Sequence, residues 1–362
     1  MADGDILQPG INIKPSISLD EIKPLVYDLY GFKVLKISEL TGYDDKNYHV
    51  VLGNSDKKNP HVNKLNDEGY VVKIINSLDS KKTEFFDAQN AVLLHLGKTD
   101  ILCCKPIPTT EGSYFTKTKL KSGEHIVRLL EFISGSILAK VTCTPKLFFQ
   151  IGKWVGTLDK ALQSFHHAGY DSHKSLWMLN AVPQLRQFIF AVKDESRKKI
   201  VLEVINEFES RVLPLLHLLE KGLIHGDVNE HNILVEKTDG KWNVKTIIDF
   251  GDSHLGYCLF ELAITMTYMI VHSKDVNAGG YILAGYSRVR KVPKTEFNLL
   301  KICVLARLCQ SLVLGAYSSL QNPDNSYVLK TSINGWIMLE AMWKEPDSEL
   351  LQRWKTISEN ME

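Results

Sequence analysis

The stretch GLIHGDVNEHNILVEKTDGKWNVKTIIDFGD spans residues 222–252 and sets His225, Asp227, Asn232, Asp249 and Asp252 into an otherwise apolar pattern. HNILV and VKTIIDF read as strands, and the EKTDGKWN between them carries Asp239-Gly240 as a turn signal. Pairing the strands about that turn brings Asn232 opposite the residues just before Asp249. Asp227 lies close enough ahead of Asn232 for a tight loop to deliver it to the same end. One carboxylate, one carboxamide and a second carboxylate are thereby gathered in one place.

Phosphoryl transfer to a hydroxyl needs this inventory. Mg²⁺ is a hard cation that takes oxygen ligands, usually one or two protein groups plus phosphate oxygens. Asn232 and Asp249 are the candidate metal ligands. Asp227 is the candidate catalytic base, orienting an acceptor hydroxyl and taking its proton. The protein-kinase signature pairs H-x-D-x-x-x-x-N with D-F-G, and HGDVNEHN followed by DFG meets both in order.

Upstream, the pattern is sheet-rich. SISLDEIKPLVYDLYG reads as a capped helix ending at Gly31, KVLKISEL and YHVVLGN as strands, and NDEGYVVKIINS and EHIVRLLEFISGS as two more. KTEFFDAQNAVLLHLGK has helical spacing. In YVVKIIN, alternation puts Tyr70, Val72 and Ile74 on one face and Val71, Lys73 and Ile75 on the other. A lysine in an apolar row of a small-lobe strand suits nucleotide phosphates, so Lys73 is the candidate phosphate-binding cation. The turn from Gly42 to Asn47 occupies the place of a phosphate-covering loop, without the G-x-G-x-x-G form. From Pro145 onward KLFFQIGKWVGTLDKALQSF, SLWMLNAVPQLRQFIFAV and SRKKIVLEVINEFESRVLPLLHLL read as helices, and two or three more are expected after the opening stretch. The expected fold is α+β, two-lobed and protein-kinase-like. An antiparallel-sheet lobe over 1–131 precedes a mainly helical lobe over 132–362, with a nucleotide site expected between two such lobes.

A protein substrate is not expected. Gly226 stands where protein kinases have the Arg of H-R-D, no A-P-E follows, and DFGDSHLGY runs almost directly into the helix CLFELAITMTYMI. That leaves no room for an activation loop, so the acceptor should be a small molecule. A net charge of +1 gives no bulk attraction to nucleic acid or an anionic membrane, and neither is expected as a partner. The apolar runs YCLFELAITMTYMIV and ICVLARLCQSLVLGAY contain Glu261 and Arg307, and read as core helices rather than membrane spans. Six cysteines without a CxxC pair read as reduced, packed thiols. With no apolar leader in MADGDILQPGINIKPS, the expected location is cytoplasmic.

LIHGDVNEHNILV and IIDFGD with the later ELA resemble the aminoglycoside phosphotransferase/choline kinase superfamily of small-molecule kinases, over nearly the whole chain. YDDKNYHV, VRLLEFISGSIL, LDKALQSFHH, AGGYILAGY and CQSLVLGAYS are most similar to the branch acting on 5-hydroxy-L-lysine. The resemblance implies Asp227 as base, Asn232 and Asp249 on Mg²⁺, and Lys73 on phosphates. It implies GTP as the donor, although no spacing separates guanine from adenine and ATP is the alternative. It places a hinge at Leu130-Glu131-Phe132, whose backbone would meet the base. One departure stands out: the helix after Lys73 should offer a Glu to pair with it, and FFDAQNAVLLHL offers Asp87 or Gln89.

An amino-acid acceptor with a carboxylate and ammonium groups calls for an Arg or Lys and an acid. Arg307 and Gln310 share a helix face and are candidates, Arg307 for the carboxylate or for a structural ion pair. Asp252 is a candidate for an ammonium or the metal. Glu261 is expected to brace the catalytic loop, and His225 to bond the backbone near Asp249. His166-His167 reads as solvated or capping rather than metal-binding. A kinase for choline, ethanolamine or homoserine is the alternative, and choline would need an aromatic cage, to which Tyr257, Tyr268 and Tyr281 are the candidates. A non-catalytic nucleotide-binding module is the reading from another class, and the presence of Lys73, Asp227, Asn232 and Asp249 argues against it.

Overall fold

The computed structural model describes residues 13–42, 44–321 and 327–361. Residues 1–12 and Tyr43 of the expected phosphate-covering turn lie outside them. The described chain divides into two compact units, one holding 13–134 with 167–172 and the other 135–166 with 173–361.

The first unit opens with α1 (Leu19–Tyr30). Ser18 and Glu21 form a reciprocal capping box at its start, and Gly31 ends it at φ 71°. Strands β1 (Phe32–Leu40), β2 (Lys46–Asn54) and β3 (Tyr70–Ile74) follow, then α2 (Thr83–Leu96), β4 (Pro106–Ile107), β5 (Thr116–Leu120) and β6 (Gly123–Glu131). The sheet runs β1-β2-β3-β6-β4 with β5 also on β6, and all pairs are antiparallel. Ile22, Val26 and Tyr30 of α1 share a core with Tyr48, Val50, Tyr70, Val72, Ile74, Val127 and Leu129. That is the alternate-residue face of β2, β3 and β6, as period-2 patterning requires. On the other face Lys73 stands in register between Asn47 of β2 and Arg128 of β6. His167–Ser172 packs with this unit although it follows the next helix in the chain. The ring of Tyr170 meets the edge of Phe85 on α2 at 5.7 Å, and His167 caps its short turn by accepting the Gly169 N–H at 3.1 Å.

The second unit holds β7 (Ser136–Ile137), α3 (Pro145–Leu162), α4 (Glu195–Arg211), β8 (Lys221–Ile224), β9 (Ile233–Thr238), β10 (Lys241–Ile247) and β11 (His254–Tyr257). α5 (Cys258–Ser273), α6 (Ala278–Ser287), α7 (Lys294–Gln321), α8 (Tyr327–Lys344) and α9 (Asp347–Asn360) complete it. Among the described residues, five α-helices therefore follow the β9–β10 hairpin, rather than two or three. The extra ones are hard to read locally. α6 is glycine-rich and poor in helix propensity, yet a side chain at Gly285 would lie 1.8 Å from the Phe149 carbonyl of α3, so close packing demands it. α9 is polar and buries only Leu350, Leu351 and Trp354. The expected helix in SLWMLNAVPQLRQFIFAV is a 3-10 helix over Leu179–Ala191, with Pro183 inside it. Proline has no N–H to give and its ring blocks regular α-helical continuation. α7 is long and apolar enough to cross a membrane, but most of its apolar stretch is buried within the protein. None of the six cysteines is in a disulfide, and Cys103, Cys258, Cys303 and Cys309 are buried.

Candidate active site

The β9–β10 hairpin closes at Asp239-Gly240, whose φ values of 52° and 76° match the left-handed turn that twisted strands prefer. The register pairs Ile233 with Ile247. The Ile248 N–H then donates to the Asn232 carbonyl at 2.8 Å. Asn232 is thus fixed beside the residue that precedes Asp249.

The loop before Asn232 is held from behind. β8 pairs with β11, Ile224 opposite His254. Gly226 then turns at φ 80°, and a side chain there would meet the Asp252 carbonyl and the His254 ring at 2.7 Å. The glycine that replaces the kinase Arg is therefore required by both conformation and space. Glu261, fully buried on α5, accepts the Gly226 N–H at 3.1 and 3.3 Å and the His225 N–H in a shorter bond. Burial pushes Glu261 up to about 7, against the pull of those two N–H groups and of Arg307. His225 donates from Nε2 to the Ile248 carbonyl at 3.1 Å and accepts the Asp227 N–H on Nδ1. Burial holds its imidazole down to about 4, so it stays neutral.

Asp227 is the most connected group of the loop. Its Oδ2 accepts from Asn229 Nδ2 at 2.8 Å and Asn232 Nδ2 at 2.9 Å, and its Oδ1 accepts from Arg307 Nη2 at 3.2 Å. Asn229 was not singled out in the sequence. Its Oδ1 also accepts the N–H groups of His231 and Asn232, at 2.8 and 3.2 Å, in a side-chain turn that shapes the loop. Burial raises Asp227 to about 8. Asp252 adds to the rise, and Arg307 and Asn229 oppose it.

Asp249 takes a left-handed conformation, φ 65° and ψ 76°, and accepts the Gly251 N–H at 3.3 Å. Both hydrogens of the Asn232 carboxamide are committed to Asp227, one to its carbonyl at 3.0 Å and one to its carboxylate. Its oxygen is therefore the atom left for a cation. A carboxamide oxygen and a carboxylate form a hard, sparse donor set, which fits Mg²⁺ shared with phosphate oxygens rather than an all-protein cage. Among the described residues no group of three or more His, Cys, Asp or Glu could hold a metal on its own.

The substrate role expected for Arg307 and Gln310 is not supported. Arg307 is 1% and Gln310 0% exposed. Arg307 Nη1 donates to the Trp177 carbonyl at 2.8 Å and to Gln310 Oε1 at 2.9 Å. Its guanidinium lies over the rings of Trp177 and Tyr268, 5.2 and 5.3 Å from their centres. Gln310 Nε2 donates to the Leu176 and Met178 carbonyls at 2.6 and 3.0 Å. These groups are committed to the protein itself, and Tyr268 is occupied by the chain's own cation. Asp252 is half-buried, and its carbonyl accepts from His254 Nδ1 at 2.7 Å.

In the first unit, Asp87 lies on the exposed side of α2. Gln89, on the buried side, accepts from Arg128 Nη1 at 2.8 Å, and Arg128 is the register neighbour of Lys73. The α2 side chain that reaches this face of the sheet is therefore Gln89, and the pairing expected of Asp87 fails on helical phase. At the expected hinge, the Glu131 N–H donates to the Lys105 carbonyl at 2.8 Å and the Phe132 N–H to the Gly69 carbonyl at 3.1 Å. Those donors are used within the unit, so they do not meet a base. Gly42 packs against the Asp45 carbonyl, where a side chain would lie at 2.5 Å. Asn47 reaches back to the Thr41 carbonyl at 3.4 Å. Asp45 anchors this turn by accepting from Asn76 N at 2.8 Å and Asn76 Nδ2 at 3.1 Å.

The phosphotransferase enzyme family matches the chain over residues 40–296, which includes Lys73, the loop of Asp227 and Asn232, and Asp249. The chain belongs to this family. As a phosphotransferase it takes an alcohol group as acceptor, and it is a small-molecule kinase. It is 37% identical to a hydroxylysine kinase of Xenopus laevis over 94% of both chains. It is 33% identical to one of Bos taurus, over 95% of this chain and 94% of that one. Among solved structures it is similar to a microcompartment-associated aminopropanol kinase, with a TM-score of 0.68 and 16% identity, covering 88% of this chain and 96% of the other. It is also similar to an amicoumacin kinase in complex with AMP-PNP and Ca²⁺, with a TM-score of 0.65 and 15% identity, covering 92% and 94%. At that identity the structures show the fold: this phosphotransferase is α+β and protein-kinase-like, with a sheet-based N-terminal unit and a helical C-terminal one.

Proposed function

We propose that the chain transfers the γ-phosphoryl group of GTP to the side-chain hydroxyl of 5-hydroxy-L-lysine, giving 5-phosphohydroxy-L-lysine. The observation that carries this is the 31–37% identity, over nearly the full chain, to four hydroxylysine kinases. The geometry of the loop supports the mechanism. Asp227 orients the acceptor hydroxyl and takes its proton as the oxygen attacks the γ-phosphorus. Lys73 meets the nucleotide phosphates, and the turn Gly42–Asn47 covers them. Asn232 and Asp249 hold Mg²⁺, which when bound neutralises charge on the phosphate oxygens. Asp252 supplies negative charge near Asp227 and suits an ammonium of the acceptor. Thiols without disulfides accord with a cytoplasmic location, which is part of the proposal.

A second reading, an ATP-dependent kinase for another amino alcohol, draws on the fold shared with the aminopropanol kinase. Choline is the poorest fit, because Tyr268 and Trp177 are already stacked on Arg307. A screen of GTP and ATP against 5-hydroxylysine, ethanolamine, choline and homoserine separates the readings. Turnover of 5-hydroxylysine with GTP well above every other pair is the expected result. A clear preference for another acceptor would replace the proposal with the second reading.

A further inference from the structure

We propose that Arg307 is a positioning residue for the transfer step, and that Oδ1 of Asp227 is the oxygen that takes the acceptor's proton. The inference rests on the reading of Asp227 as the base. Each carboxylate oxygen has two lone pairs. On Oδ2 both are engaged, by Asn229 at 2.8 Å and Asn232 at 2.9 Å. On Oδ1 one is engaged by Arg307 at 3.2 Å, and among the described residues the other is left. The lone pair that remains belongs to the oxygen whose place Arg307 sets.

Arg307 is itself tightly held. Four groups accept from its guanidinium: the Trp177 carbonyl, Gln310 Oε1, the Gly226 carbonyl at 3.4 Å and Asp227 Oδ1. Two aromatic rings fix its plane, and Gln310 is anchored on two further carbonyls. One planar fork thus bonds both the carbonyl just before Asp227 and the carboxylate itself, fixing the backbone and side chain of one residue together. A lysine ammonium lacks that fork. Protein kinases carry an Arg immediately before the catalytic Asp. Here that position is Gly226, with no room for a side chain, and the cation arrives from α7 instead.

In the step, the acceptor O–H gives its proton to Asp227 Oδ1 while the hydroxyl oxygen bonds to the γ-phosphorus. The bond from the γ-phosphorus to the bridging oxygen breaks, and that oxygen leaves on the nucleoside diphosphate with the electron pair. Misplacing Oδ1 slows this step without touching the nucleotide's binding groups.

The test compares the full-length wild type with Arg307→Lys and Arg307→Ala, using Mg²⁺, GTP and 5-hydroxylysine. It measures kcat, both KM values, binding of a fluorescent GTP analogue and melting temperature. We expect kcat to fall about 100-fold in both variants with nucleotide affinity unchanged. Added N-ethylguanidinium should recover part of kcat in Arg307→Ala, where the slot between Trp177 and Tyr268 is vacated, and none in Arg307→Lys. A raised KM for the acceptor with normal kcat would assign Arg307 to the substrate and overturn the proposal. A lowered melting temperature with normal kcat would overturn it too, leaving a structural role. If neither variant folds, Gln310→Met carries the test: it cuts the anchor of Nη1, and a smaller loss confined to kcat is expected. Unchanged kcat there contradicts the proposal. A wild type that phosphorylates no acceptor removes the base assignment and the inference with it, whereas an active wild type with unaffected variants removes the inference alone.

Discussion

The carboxylate of Glu261 accepts the backbone N–H of Gly226 through both of its oxygens, at 3.3 and 3.1 Å. A buried side chain on α5 thereby sets the backbone of the residue next to Asp227, the proposed base. Glu261→Gln removes the carboxylate's charge and, with its oxygen in the Oε2 place that serves both His225 and Gly226, turns an amide N–H₂ toward the Gly226 N–H in place of the Oε1 acceptor. The expected cost is about 1–3 kcal/mol of stability. Denaturant unfolding measures it, and kcat should fall while nucleotide affinity holds. A variant as stable as wild type would show that the brace contributes nothing.

Gly226→Ala should be worse for the loop that carries Asp227. Its φ of 80° is unfavourable for any L side chain, and the new methyl would press on the Asp252 carbonyl and the His254 ring. Strain of about 1–3 kcal/mol is expected before any repacking. Calorimetric melting together with a kcat measurement checks it, and near-normal values for both contradict the geometry.

Asp87 and Gln89 make opposite predictions although only one residue separates them. Asp87→Asn should leave nucleotide binding and stability unchanged, because the side chain is exposed on α2. Gln89→Leu removes one acceptor of the buried Arg128 guanidinium and should destabilise the first unit by about 1–3 kcal/mol. Weakened nucleotide binding in Asp87→Asn would restore Asp87 as the partner of Lys73.

Asp227 is raised to about 8, by burial first and by Asp252 second. As the proposed base, Asp227 acts in its ionised form, so kcat/KM for the acceptor should rise with pH through an inflection at about 8. Asp252→Asn removes a negative neighbour, which favours ionisation of Asp227 and moves the inflection to lower pH. The charges that bear on Asp227 from elsewhere, Arg307 and Asp249, stay in place. Paired pH profiles decide this, and an inflection that stays put or moves upward argues against it.

The parts of this site that sequence made legible are local. Asp239-Gly240 with alternation on either side is enough to fold Asn232 back to Ile248, and period two alone puts Lys73 on the face away from α1. The rest depends on contacts distant in sequence. Arg307 lies 80 residues from Asp227, and Gln310 lies 134 from Leu176, so helix periodicity shows that the two share a face and not what they meet. Asp87 and Gln89 differ in helical phase, and two positions along α2 separate solvent from core. The backbone donors of Glu131 and Phe132 look open in a strand end, but Lys105 and Gly69, each remote in sequence, take them. Asn229 carried a usable signal, an Asn placed to turn a loop between Asp227 and a second Asn.

The most direct measurement is single-turnover phosphate transfer by Asp227→Asn beside the wild type, with GTP binding determined on the same samples. The substitution keeps the shape of the side chain and removes its capacity to take a proton. Transfer should fall by about 10²- to 10⁴-fold while GTP binds as before. Transfer at the wild-type rate would contradict the role of Asp227 as the base.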